Sequence, residues 1–138
     1  MAEALILDSE ALTALARPEE RGVLSVRARA ITRVAHERGA LVRVPAPVLA
    51  EVCRGPRFDA PINQLLNREA IRVVDLTRKT AQRAGALLEK ARMSSANAVD
   101  AFVVATALDF ESAVIASGDP DDIKRLSATF SQISLVVL

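Results

Sequence analysis

The chain has 138 residues, 51% hydrophobic and 25% charged, the proportions of one ordinary globular domain spanning residues 1–138 with room for a real core. Its formal net charge of +1 makes no global case for a nucleic acid or a membrane, and no apolar run approaches the roughly 20 residues of a membrane span. The single cysteine, Cys53, excludes an internal disulfide, and the first residues lack the basic start and apolar core of a signal peptide, so a soluble cytoplasmic protein is expected.

Leu5-Ile6-Leu7 is a short apolar run that stops at Asp8, and a helical stretch from Glu10 to Ala16 follows at once. Such a run reads as a buried strand, and Asp8 sits where the strand ends. Asp8 or Ser9 also suits the cap of the next helix, so both readings stand on this residue alone. Arg17 to Gly22 is a polar, Pro- and Gly-marked connection. Leu24, Ala28, Ile31 and Ala35, with Val34 beside them, then form one helical stripe that Gly39 stops. Arg29, Arg33 and Arg38 fall off that stripe and suit either a solvated face or contacts to phosphates. His36, the only histidine, lies in the last turn, where a cation suits the helix dipole, and lacks companions for a metal or triad.

Leu41 to Val44 reads as a second strand, ended by Pro45-Ala46-Pro47, with Pro47 placed to open a short helix to Arg54. Glu51 shares a side of that helix with Val48 and Val52, and a carboxylate there needs a partner, which Arg54 or a bound group can provide. Cys53 reads as a small core residue. Pro61 to Glu69 carries Ile62, Leu65 and Leu66 at helical spacing, and Ile71 to Val74 is a third strand. Thr77 caps a longer helix with Ala81, Ala84, Leu88 and Ala91 inward. After a loop at 93–97, with Asn97 as a cap, a helix carries Asp100 in its first turn, where the dipole favours an acid. Ala113 to Ala116 is a fourth strand, Asp119-Pro120-Asp121-Asp122 opens a helix, and Ile133 to Val137 closes the chain. Strands alternating with helices predict an α/β fold, a parallel sheet between helical layers.

In a parallel sheet, Asp8 and Asp119, each following a short buried strand, arrive at the same edge. Asp100 opens the helix leading into the strand before Asp119, and Glu51 lies on a helix able to cover that edge. Four acids around one pocket repel each other unless a cation neutralises them. Oxygen-only ligands suit Mg²⁺ or Mn²⁺, and such sites promote displacement at a phosphodiester.

The order Leu-Asp-Ser (7–9), Pro-Ala-Pro-Val-Leu-Ala-Glu-Val (45–52), Ala-Val-Asp-Ala (98–101) and Ser-Gly-Asp-Pro-Asp-Asp (117–122) resembles the PIN-domain nucleases, and most of all the VapC-type toxins of bacterial toxin–antitoxin pairs. The likeness covers essentially the whole chain. It implies a PIN-like three-layer α/β/α fold with four to five short parallel strands. It further implies that Asp8, Glu51, Asp100 and Asp119 are catalytic, with Asp8, Asp100 and Asp119 holding Mg²⁺ or Mn²⁺. Ser117 supports the set, and Asp122 is an accessory acid. The implied activity is hydrolysis of RNA to 5′-phosphate and 3′-hydroxyl ends. The implied partners are an RNA substrate, a VapB-like antitoxin that covers the acids, and a second copy of the chain, for which Val23, Leu24 and Val26 offer an apolar surface. Gly118 departs from the pattern, where many members carry a side chain, and is expected to loosen the last loop. With 3% aromatic residues and neither Trp nor Tyr, binding is expected to lean on arginine–phosphate contacts rather than base stacking.

Two other readings compete. A phospho-receiver domain also has an acidic Mg²⁺ pocket, but it wants an acid pair after the first strand and a lysine after a late one. Here Ser9 follows Asp8, and Lys79, Lys90 and Lys124 stand elsewhere. A non-catalytic PIN-fold binding module, with the acids kept as helix caps, is the stronger rival.

Overall fold

The computed structural model describes residues 3–68 and 70–138. In chain order the elements are β1 (Glu3–Leu7), α1 (Ser9–Ala16), α2 (Pro18–Arg21), α3 (Val23–Glu37), β2 (Leu41–Pro45), α4 (Ala46–Val52), α5 (Pro56–Arg68), β3 (Ile71–Val74), α6 (Arg78–Ala91), α7 (Ala98–Ala107), β4 (Ser112–Ser117), α8 (Pro120–Ser127) and β5 (Ile133–Val137). A 3-10 turn, Ser95–Asn97, leads into α7. The five strands are all parallel, in the order β3-β2-β1-β4-β5. This is the expected α/β fold, with the higher of the two strand numbers.

The topology follows from handedness. From β1 the chain moves outward through β2 to β3, then returns past β1 to β4 and β5. Right-handed crossovers in opposite directions place the first helices on one face of the sheet and the last on the other. Accordingly α1 packs with α3 and α5, while α6, α7 and α8 pack together. β1 lies in the middle with both faces covered, so Ala4 to Leu7 are all buried, as the continuous apolar run predicts. The centre of the core is Ile6, Leu7, Leu12, Val44, Val104 and Ile115, each essentially inaccessible to solvent. The edge strands β3 and β5 keep partly exposed residues.

Four local features differ from the sequence expectations. The connection after Ala16 contains a helical turn, α2, because Pro18 pre-sets its first position and Glu19 and Glu20 sit at its positive end. Helix α5 starts at Pro56 and carries Pro61 inside it. Its first turn is held by the N–H groups of Phe58 and Asp59 donating to the Gly55 carbonyl, and by Asp59 Oδ1 accepting from the Arg54 N–H. The far end of that pattern, Glu69, lies outside the described residues. On α3 Ala28 and Ala35 are buried and Leu24 and Ile31 pack partly buried against the core, as the stripe predicts, but Ser25 and Thr32 are buried beside them and Val34 is exposed. Thr32 tolerates burial because its hydroxyl donates to the Ala28 carbonyl at 2.8 Å. Finally, Pro47 is the second rather than the first residue of α4, which Ala46 opens.

Asp8 is carried directly by the buried strand, so the site shares its support with the core. Ile6→Ala is expected to cost about 2–5 kcal/mol, the usual range for truncating a buried aliphatic side chain. Urea denaturation followed by circular dichroism measures this directly.

Candidate functional site

The strand order reverses between β1 and β4, and the crevice beyond the carboxyl ends of strands at such a point is where ligands bind in this architecture. Leu7 pairs with Ala116, and the Asp8 N–H donates to the Ala116 carbonyl at 3.2 Å, so Asp8 emerges beside Ser117. Asp8 Oδ1 accepts from the Ala11 N–H at 2.9 Å, so the residue caps α1 while its carboxylate reaches the crevice. The cap reading of Asp8 is thus observed, and the same carboxylate also lines the crevice. Burial pushes the Asp8 carboxyl above the usual carboxylate range, against hydrogen bonds from the Ser117 side chain and the Ala11 N–H that favour the charge.

Ser117 is fully buried, and its hydroxyl also accepts from the Asp119 N–H at 3.1 Å. One side chain thereby ties the end of β1 to the loop carrying Asp119. Asp119 occupies the cap position of α8 but makes no capping bond with its side chain, which is exposed at the cleft. Glu51, exposed on α4, accepts from the Ser9 hydroxyl. Arg54, the alternative partner, instead donates to the carbonyls of Ala50 at 2.6 Å and Cys53 at 2.7 Å.

Asp100 lies in the first turn of α7, partly buried. Its carboxyl is pushed up from the ordinary 3.8 to about 6, first by burial and then by the charges of Asp122, Glu51, Asp8 and Asp119. Every acid singled out in the sequence is thus within electrostatic reach of Asp100. Asp122 is held by Asn97, whose Nδ2 donates to its Oδ2 at 2.9 Å. Asn97 stands at the cap position of α7 without capping it.

Asp8, Glu51, Asp100 and Asp119 line one cleft of about 230 Å³, with Ser9 and Glu10 beside them and Val99 and Val103 as its apolar wall. Glu10 is engaged by Arg21 Nη1 at 3.5 Å. Ser117 and Asp122 are not among the residues that line the cleft. Ser9 and Asn97 hydrogen-bond Glu51 and Asp122, contacts that sequence reading did not assign. The signals for them were the hydroxyl next to the strand-end acid and the amide three residues before Asp100. At Gly118 a Cβ would stand 2.7 Å from Glu10 Cβ, so its bare backbone lets the β4–α8 connection close on α1.

The donor set fits a hard divalent cation. It consists of carboxylate oxygens, their mutual repulsion is visible in Asp100, and neither His36 nor Cys53 lines the cleft. Among the described residues, no three metal-ligating side chains already meet at a common point. The carboxylates surround the cleft rather than forming a finished cage.

A parallel α/β domain with an acidic cleft at its switch point defines the class. The PIN domain family matches residues 5–128, and the chain belongs to that family. Among solved structures, the chain is similar to one in the crystal structure of VapBC2 from Rickettsia felis bound to a DNA fragment from their promoter, with 12% identity, a TM-score of 0.64 and 98% of each chain covered. It is also similar to a chain in a toxin-antitoxin complex from Klebsiella pneumoniae, with 15% identity, a TM-score of 0.62 and 94% of each chain covered. No curated protein matches the sequence. At these identities the structural likeness carries the fold.

The raised Asp100 carboxyl has a consequence for stability. Folding binds its proton more tightly than the unfolded chain does, so this group favours the folded state below its ordinary value of 3.8 and loses that contribution as pH rises through about 6. Asp100→Asn is therefore expected to raise the melting temperature in EDTA at pH 7.5. Discounted for solvent screening of a partly exposed group, the gain is about 1 kcal/mol, or about 2–6 °C. Thermal melts of both proteins at pH 4 and pH 7.5 check the sign, and the difference between them is expected to shrink at the lower pH.

Proposed function

We propose that the chain is a metal-dependent endoribonuclease of the VapC type, the toxin half of a toxin–antitoxin pair, built as one PIN unit over residues 1–138. The observation that carries this reading is the convergence of Asp8, Glu51, Asp100 and Asp119 on a single cleft at the β1–β4 switch point. Asp8, Asp100 and Asp119 would hold Mg²⁺ or Mn²⁺, which when bound supplies activation of water and neutralisation of charge at the phosphodiester.

The chain's own residues do the rest. The N–H of Ala11 and the hydroxyl of Ser117 fix the Asp8 carboxylate, so little reorganisation accompanies binding. Ser117 also fixes the Asp119 backbone, and Asn97 keeps Asp122 turned to itself as an accessory acid. Glu51, at the exposed rim and steadied by Ser9, is placed to orient the attacking water and take its proton at a carboxylate oxygen. Val99 and Val103 limit water on one side of the cleft.

The antitoxin is a VapB-like protein that lies across the acids and silences them. A second copy of the chain docks on the exposed valines of α3, Val23 and Val26, which are 66% and 69% accessible. The cytoplasm is the compartment of such a pair, and among the described residues no helix is long and apolar enough to cross a membrane.

Purified, antitoxin-free protein is expected to cut total RNA into discrete fragments with Mg²⁺ or Mn²⁺ and to leave it intact in EDTA. The products should carry 5′-phosphate and 3′-hydroxyl ends. Asp8→Asn and Asp100→Asn should each lower the rate by on the order of 10²-fold or more. A folded wild type that binds metal yet cuts no RNA would favour the binding-module reading. Cleavage surviving both substitutions would identify a contaminant.

A further inference from the structure

At the opposite edge of the sheet, where β3 begins, the C-terminal halves of α3 and α5 and the end of α1 enclose a concavity of about 430 Å³. It falls within the roughly 300–1,000 Å³ of ligand sites. Its rim is basic, formed by Arg29 and Arg33 one helical turn apart on α3 and by Arg68 at the end of α5. Its floor is aliphatic, formed by Leu15, Leu65 and Ile71.

Among the described residues, none of these three arginines makes an ion pair, whereas Arg17, Arg21, Arg38 and Arg83 all do. Among the described residues, Glu37 is the single acid lining the concavity, against the three guanidinium groups. His36 lies in the same wall, and its Nε2 is buried without a hydrogen-bond partner. A solvated helix face, one of the two sequence readings of Arg29 and Arg33, accounts for neither the concavity nor this orphan nitrogen. Planar guanidinium forks above an aliphatic floor match a phosphate on the rim with a sugar against the floor.

We propose that this pocket is a second nucleic-acid contact, binding a backbone phosphate of single-stranded RNA at the edge of the domain opposite the acidic cleft. The choice of RNA as the source of the phosphate rests on the nuclease reading above. The two edges are separated by five-residue strands, about 17 Å at 3.3 Å per residue, a span that one RNA strand bridges. Contacts at both edges would align the strand before it is cut and make affinity depend on the length of the RNA.

The test reads binding rather than cleavage. Fluorescence anisotropy of a short labelled single-stranded RNA is measured in EDTA for the wild type, for Arg29→Ala/Arg33→Ala, and for a control with the same charge loss on α6, Arg78→Ala/Lys79→Ala. The pocket variant should bind roughly tenfold more weakly, with a salt slope shallower by about 1.4, while the control stays close to wild type. Melting curves confirm that both variants are folded. Equal losses in both variants would mark a general charge effect and overturn the proposal.

Titration with inorganic phosphate, followed by ¹H–¹⁵N spectra, should move the His36 ring and the Arg29 and Arg33 side chains, and RNA should move the same signals. Phosphate shifts that RNA does not reproduce, or equal competition by polyglutamate, would mean a small-anion or acidic-protein site and overturn it. The two readings fail separately. Metal-dependent cleavage with unchanged binding in Arg29→Ala/Arg33→Ala retires the pocket alone. Pocket-dependent binding without cleavage retires the nuclease alone.

Discussion

The carboxylate of Asp8 is held between two structures with opposite electrical demands. The strand before it is apolar and buried, and drags the acid out of water. The helix after it offers free N–H groups, one of which the carboxylate accepts. Burial outweighs that compensation, so Asp8 is a charge kept at some cost. The rest of the cleft is arranged around this point. Ser117 reaches it from β4 and favours its charge, while Asp100 approaches from α7 and Glu51 from α4, and the acids together raise the local negative potential at Asp100. Amides there would remove this repulsion, and the proposed cation would neutralise it.

The supports of these acids are as informative as the acids. Ser9 and Glu51 are 42 residues apart, and Asn97 and Asp122 are 25 apart, so each hydrogen bond joins separate crossovers at the sheet edge. Ser117 joins two loops through one hydroxyl. Gly118 permits a backbone approach to Glu10 that any side chain would obstruct. These contacts hold the edge together without occupying the cleft.

The two ends of the sheet carry local clusters of opposite charge. The net charge is only +1, yet Asp8, Glu51, Asp100 and Asp119 line the cleft beyond the carboxyl ends of the strands and Arg29, Arg33 and Arg68 rim the concavity at the amino ends. Composition alone hides this polarity, because opposite clusters cancel in the sum. For a polyanionic substrate the arrangement is coherent: arginines hold phosphates directly, and the acidic end needs a cation before it can approach one.

Much of this was legible in the residues. The apolar runs of β1, β2, β3 and β4, the helices between them and the acids at their boundaries are local patterns, written within a few residues of one another. The turn α2 and the early start of α5 have local causes too, Pro18 with its following acids in one case and the Gly55 carbonyl and the Arg54–Asp59 contact in the other. The burial of Ser25 and Thr32 beside the α3 stripe depends instead on neighbours distant in sequence. Sequence by itself determined the alternation of strand and helix, the burial of the central strands and the candidate acids at strand ends and helix starts. Tertiary structure alone decided that those acids face one cleft, that Asn97 serves Asp122 rather than its own helix, and that Arg29 and Arg33 meet Arg68 around a concavity. The physical reason is that periodicity specifies which side of an element is apolar, whereas the meeting of two polar side chains is set by the order and hand of the crossovers that bring their elements together.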